Sequence, residues 1–381
     1  MLYGAFGLAS PFMPRLFESR GLSQPEIGTV LAAGLLMRLA SGPVIGRLAD
    51  RSGRLRATLG LCLAVAAAAS AAIAGAQGFV FILALALAQA AALAPTTSIA
   101  DALAVNADPP AARQGRFEYG WIRGGASLAF VLGTLLAGQL IEANDLAPAI
   151  WANAILLLAA AALTVAPART AAAPASAARG SEANLAAMRT LLRLSAFRSI
   201  IAVAALVYGS HAMYDAFAVI RWNAAGLAPA VISLLWSEAV AAEVLVFLVI
   251  GPALIDRLGV RGAAILAAVA GIVRWSVLAH TSSFLALLAI QPLHGLTFAL
   301  LHLTCMRLMA NAIPRRLAAT AQTLYAFGPA LVTAGLTWAS GWVYGAGAWP
   351  FFVMAGLCMI AVPVAWTGLS ADTVAAPMRL R

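Results

Sequence analysis

The chain has 381 residues, 63% of them hydrophobic and 10% charged, against about 45 to 50% and about 25% in an ordinary soluble domain. That balance excludes a soluble globule. Its 24 basic residues, all arginine, outnumber 14 acidic ones to give +10, but they fall in short clusters between apolar stretches. Such clustering fits positive charge retained in cytoplasmic loops better than a nucleic-acid surface.

A bilayer core about 30 Å thick takes roughly 20 helical residues per crossing, so the length admits about a dozen helices. In chain order the apolar stretches run over 1–18, 25–47, 55–76, 79–106, 117–142, 147–167, 197–222, 229–255, 261–280, 283–311, 316–344 and 347–369. The first holds Pro11 and Pro14, and reads either as kinked or as a crossing that starts late. With no basic residue before Arg15 and no small-residue cleavage site, it does not read as a cleaved signal peptide. Threading the chain with the N-terminus inside leaves seventeen arginines cytoplasmic and three, Arg15, Arg20 and Arg221, on or near the far side. The expectation is a multi-pass protein of a bacterial-type inner membrane with both termini cytoplasmic.

The segment 168–196, rich in Ala, Pro and Ser, is the longest polar interruption and reads as a cytoplasmic linker. It separates an N-terminal bundle of six helices, 1–167, from a C-terminal one, 197–381. Asp50-Arg51-Ser52-Gly53 recurs as Asp256-Arg257-Leu258-Gly259, each time after the second span of its half, as a tandem duplication would leave it. The fold class is therefore all-α, with twelve transmembrane helices in two pseudo-symmetric six-helix bundles.

Ionisable side chains at membrane depth cost about 2.5 to 3.5 kcal/mol, so they face a cavity or a partner. They are Arg38, Asp101, Glu118, Arg123, Asp215, Glu238, Glu243, Arg274, His294, His302 and Arg307. Asp101 sits in a stretch with no sign of a helix end, which suits either a cavity-facing role or a structural pair. Arg123 has the planar fork that matches a carboxylate; the competing reading is a salt bridge to Asp101 or Glu118. Glu238 and Glu243, about 140° apart around one helix, do not share a face, and Glu243 lies deeper. Arg274 cannot give up its proton and needs a partner. Glu243 is the expected one. His294 and His302 stand about 80° and about 12 Å apart, too far to chelate together, and Cys62, Cys305 and Cys358 show no ligand spacing, so no metal site is expected. Either histidine exchanges protons near neutrality or rests as a bonded core imidazole. His211 lies near Tyr208 and Tyr214, and Trp222, Trp236, Trp275, Phe130 and Phe298 supply aromatic surface.

Gly46-Arg47-Leu48-Ala49-Asp50-Arg51-Ser52-Gly53-Arg54-Leu55-Arg56, with its echo at 256–259, resembles the cytoplasmic loop motif of the major facilitator superfamily. Its glycines permit a tight turn, and its Asp and Arg residues suit a conformational latch: Gly46, Asp50, Arg51, Gly53 and Arg54 in one half, Asp256, Arg257 and Gly259 in the other. Within that superfamily the chain is similar to the 3-phenylpropionate transporter group through Gly209-Ser210-His211-Ala212, Ile220-Arg221-Trp222-Asn223, Ala242-Glu243-Val244, Val273-Arg274-Trp275, Leu293-His294-Gly295, His302-Leu303 and Met306-Arg307. It departs from that group at Asp215, where an uncharged aromatic is expected. A more distant likeness, to lactose permease and its relatives, rests on Phe117-Glu118-Tyr119-Gly120 with Arg123, on Phe130 and on Leu293-His294; Thr297 stands where those proteins have a proton-carrying glutamate.

These resemblances imply a secondary active transporter, not an enzyme, that takes up a small aromatic organic acid with a proton. No cofactor is implied beyond the proton gradient; the partners are the solute, protons and lipid, with no nucleic acid, and the chain is expected to be monomeric. Substrate binding falls to Asp101, Arg123, Phe130, His211, Arg274 and His294, and proton coupling to Glu243, Glu238 and His302. A sugar or nucleoside symporter, or a drug or metabolite exporter, uses the same parts. An intramembrane enzyme or receptor is the competing class. The chain has no strand-turn-helix phosphate loop and no GxSxG, and Ser210-His211, adjacent on a helix, point to different faces.

Overall fold

The computed structural model describes residues 1–105, 119–142, 145–165 and 181–369, and their secondary structure is helical apart from one isolated bridge between Glu142 and Asp145. Eight stretches among them are long and apolar enough to cross a bilayer, which makes this a multi-pass membrane protein. The chain forms two compact units. One comprises Met1–Ala177 with Val219–Ser237, the other Ala178–Ala218 with Glu238–Arg381.

In the first unit, α1 (Leu2–Ala9) and α2 (Met13–Ser19) replace the single first span. The chain breaks at Ser10–Phe12 and restarts with Pro14 in the first turn of α2, where a missing N–H costs nothing. The span is kinked at that break. Next comes α3 (Gln24–Ser52), opened by a capping box between Ser23 and Glu26 and closed by Gly53 at φ 64°. Then follow α4 (Leu55–Gly75), α5 (Phe79–Leu93), α6 (Thr96–Val105), α7 (Tyr119–Leu140) and α8 (Ala147–Val165).

Lipid tails are as apolar as leucine, so transmembrane helices associate through close packing of small residues and a few interhelical hydrogen bonds. α1 lies against α7 because Gly7 faces the Phe130 carbonyl and Gly133 faces Gly4, positions where a Cβ would strike backbone. Thr134 Oγ1 donates to the Gly7 carbonyl at 3.1 Å. Buried Asn153 of α8 ties three helices together: its amide donates to Ala5 O at 2.6 Å and its carbonyl accepts from Ser70 Oγ at 2.7 Å.

The second unit begins inside the segment read as linker, where α9 (Ser181–Arg193) forms; its Leu191 is buried while Met188 and Leu192 stay exposed. The seventh span is broken. α10 (Ser195–Gly209) and α11 (Ala212–Ala224) flank Ser210 and His211, and the residues of α11 from Val219 onward belong to the first unit, as does the chain to Ser237. α12 (Pro229–Leu245) passes through a π-helical turn, Val246–Ile250, into α13 (Gly251–His280). At about 1.5 Å per residue the 52 residues from Pro229 to His280 far exceed one crossing. Gly259, at φ 67° and ψ 177°, divides them into two arms. The tenth span also carries a π turn: α14 (Phe284–Ile290), α15 (Leu293–Gly295), the π segment Leu296–Leu300, then α16 (Leu301–Ala312). α17 (Ala318–Val343) and α18 (Trp349–Gly368) complete it.

Candidate functional site

The densest polar cluster among the described residues lies in the second unit, and glycines build it. Gly295 meets the Ala242 carbonyl so closely that a Cβ there would lie 2.7 Å from it. This approach sets α15 against α12 and brings the next residues along, so His294 Nε2 lies 3.5 Å from Glu243 Oε2. On α13, Gly271 lets Cys358 of α18 close in, with 2.5 Å between Sγ and the position of a Cβ. One turn further on, Arg274 and Trp275 are fully buried.

Arg274 is the centre. Its guanidinium lies 4.4 Å from the Tyr214 ring centroid and 4.7 Å from that of Trp275. Nη1 donates to His294 Nδ1 at 3.1 Å and Nη2 to Gln291 Oε1 at 3.4 Å, while buried Nε has no hydrogen-bond partner. Gln291 Nε2 donates in turn to the Tyr214 hydroxyl at 2.7 Å. Two aromatic faces, each worth about 2 kcal/mol to a desolvated cation, stand in for water. The expected Glu243–Arg274 pair is not direct: His294 stands between them.

Donor geometry fixes the protons. A guanidinium only donates, so His294 Nδ1 is the acceptor and its proton sits on Nε2, facing Glu243. His211 is the opposite tautomer. Its Nδ1 donates to the Val207 carbonyl at 2.9 Å, leaving Nε2 to accept from Thr297 Oγ1 at 3.0 Å. The break at Ser210 is stitched to α13 by Trp275 Nε1, which donates to Ser210 Oγ at 2.8 Å, and to α18 by Cys358 Sγ at 3.3 Å. A second chain of groups joins the Tyr208 hydroxyl, the Tyr325 hydroxyl and His302 Nδ1 by two contacts of 3.1 Å. The Phe298 ring stacks parallel to His294 at 5.6 Å and packs against Tyr208.

Of the residues singled out in the sequence, His211, Glu243, Arg274 and His294 come together here, with His302 in the adjoining chain. Glu238, half-buried, keeps one carboxylate oxygen buried without a hydrogen bond. Asp101 on α6 and Phe130 on α7 are half-buried in the first unit, and Arg38 on α3 is exposed. The side chain of Arg123, the whole of Glu118 and residues 166–180 lie outside the described residues. Gln291 and Tyr325 were missed by the sequence reading, which weighed Ser210 only as half of a catalytic dyad and as part of the family resemblance. For Gln291 a signal existed: it lies three residues before His294 and shares its helix face.

In the latch, Gly53 and Gly259 both take positive φ, 64° and 67°. Asp256 accepts from Arg307 Nη2 at 2.7 Å, which gives Arg307 of α16 a partner in the turn. Asp50 makes no side-chain hydrogen bond among the described residues, and Arg56 instead reaches back to α8, donating to Thr164 O at 3.2 Å.

A buried cation, bonded histidines and glycine-hinged helices inside apolar spans define a membrane transport protein. The model of the MFS_1 like family matches residues 1–354, and the chain belongs to that family of the major facilitator superfamily. It is 30% identical over 308 residues, 80% of this chain and 79% of the other, to the "Probable 3-phenylpropionic acid transporter" of Escherichia coli strain K12. Among solved structures it is similar to the nucleoside transporter NupG, at TM-score 0.79 and 14% identity over 97% of this chain and 95% of that one. It also resembles a bacterial homolog of the human lysosomal transporter Spinster in an inward-facing state, at TM-score 0.73 and 15% identity over 98% and 94%. At such identities these two likenesses concern the fold.

Proposed function

We propose that this transporter takes up a small aromatic organic acid, such as 3-phenylpropionate, together with a proton, by alternating access of two six-helix halves. Those halves are 1–167 and 197–381, joined by a cytoplasmic linker at 168–196, in twelve crossings of an inner membrane with both termini inside and the chain acting as a monomer. The observation that carries the reading is Arg274: a permanent cation, wholly buried between two aromatic rings, linked to Glu243 only through a neutral imidazole. A guanidinium so placed suits an aryl carboxylate, since the planar fork binds the acid while ring surface lies beside it. The name of the E. coli relative agrees with that solute class.

Proton coupling rests on the order Arg274–His294–Glu243. Arg274 stays charged, and His294 cannot be protonated at Nδ1 while the guanidinium donates there. The exchangeable proton therefore falls to Glu243, with Glu238 and His302 as reserves. Asp101, Arg123 and Phe130 are the contribution of the first half to solute binding, and His211 serves from the second. The transmembrane proton gradient supplies the energy, with no bound cofactor.

Uptake into proteoliposomes, with and without an inward proton gradient, tests this reading against a panel of aromatic acids, sugars and nucleosides. Gradient-driven accumulation of 3-phenylpropionate supports it. Preference for a sugar or nucleoside, or outward pumping, overturns the solute or the direction.

A further inference from the structure

From Gly209 to Ile220 every residue is buried except Asp215, which is exposed. A helix face turned to lipid would expose the neighbours of Asp215 on that face as well, yet His211, Ala212, Ala218 and Val219 are all buried. Asp215 therefore opens onto an internal space rather than onto acyl chains. Its carboxylate makes no side-chain hydrogen bond or ion pair among the described residues, although it lies within an apolar span, Ser195–Ala224. Asp215 stands in the first turn of α11, where the helix dipole favours a negative charge, and its exposed oxygens are left to water or a ligand. The adjacent residue, Tyr214, is buried and holds its ring over the Arg274 guanidinium, so consecutive side chains serve the cation and the open space.

We infer that Asp215 faces the transported solute and selects solutes carrying a hydrogen-bond donor. Resting on the organic-acid reading above, this deepens it: favoured substrates are aryl acids with a hydroxyl or amine distant from the carboxylate. The chemistry is one-sided. An ionised carboxylate only accepts, so it rewards a donor and penalises an apolar ring edge or a second carboxylate.

The test is equilibrium binding to purified protein in lipid nanodiscs, using 3-phenylpropionate and its 3-hydroxyphenyl, 4-hydroxyphenyl and 4-aminophenyl analogues, with a sugar and a nucleoside alongside. The wild type should bind at least one donor-bearing aryl acid about ten- to a hundredfold more tightly than 3-phenylpropionate, the scale of a charged hydrogen bond. Asp215→Ala should erase that ratio and Asp215→Asn, which keeps a neutral acceptor, should reduce it, both with a melting temperature near wild type. Asp215→Leu, apolar and close to aspartate in size, gives the same readout should the alanine variant not fold. An unchanged ratio in either variant, with acids still bound, overturns this inference and leaves the organic-acid reading intact. If no acid binds but the sugar or nucleoside does, and Asp215→Asn weakens it, the organic-acid reading fails and the role of Asp215 stands. Loss of uphill transport for every solute at an unchanged binding ratio makes Asp215 a proton carrier and likewise overturns the selectivity inference.

Discussion

Glu243→Gln separates the proton from the fold. Its contact with His294 is 3.5 Å long, and Glu243 is 23% exposed, so it contributes at the low end of the range for hydrogen bonds, about 1 kcal/mol or less. Glutamine keeps a carbonyl for the Nε2–H of His294, and Arg274 keeps both of its own bonds, to His294 and Gln291. The variant should therefore fold, with a melting temperature close to wild type. What it loses is a group able to take and release a proton. An inward gradient of one pH unit stores about 1.4 kcal/mol per proton, enough for a tenfold concentration ratio at one proton per solute. Wild-type proteoliposomes should approach that ratio; Glu243→Gln should settle at equal concentrations while still exchanging labelled for unlabelled solute at a measurable rate. Tenfold accumulation by the variant would refute the argument from tautomers and move the coupling proton to His302 or Asp101.

The remaining predictions address packing, recognition and topology. Gly295→Ala places a Cβ 2.7 Å from the Ala242 carbonyl, so α15 and α12 must part; overpacking of this kind costs about 1 to 3 kcal/mol, and both melting temperature and uphill transport should fall, whereas an unshifted melting curve would contradict the close approach. Arg123→Lys keeps charge but loses the two-pronged geometry, and affinity for aryl acids should drop by about 1 to 3 kcal/mol in a binding titration; wild-type affinity would remove Arg123 from the solute site. A cysteine in place of Ala175 should react with an impermeant thiol reagent only from the cytoplasmic side, and labelling from outside would reverse the topology.

Composition and spacing were enough to establish that the chain lives in a bilayer, because lipid forbids unpaired backbone groups and leaves helices as the means to bury them. The duplicated Asp-Arg-x-Gly turn was equally legible, since a left-handed residue needs glycine wherever the fold places it, and Gly53 and Gly259 both adopt it. So was the list of intramembrane charges, whose rarity in apolar sequence marks them. Which charges meet was not legible. Glu243 and Arg274 read as a pair because opposite charges in a membrane seek each other, yet the backbone approach at Gly295 sets His294 between them. Arg307 read as one more buried charge, but α16 carries it to Asp256 in the latch. The break at Ser210–His211, held by Trp275, and the π turns beside Glu243 and His294 left no periodic signature. Sequence periodicity reports the environment of each helix one residue at a time, whereas partner choice depends on how closely two backbones pack, and that is decided only when helices distant in sequence meet.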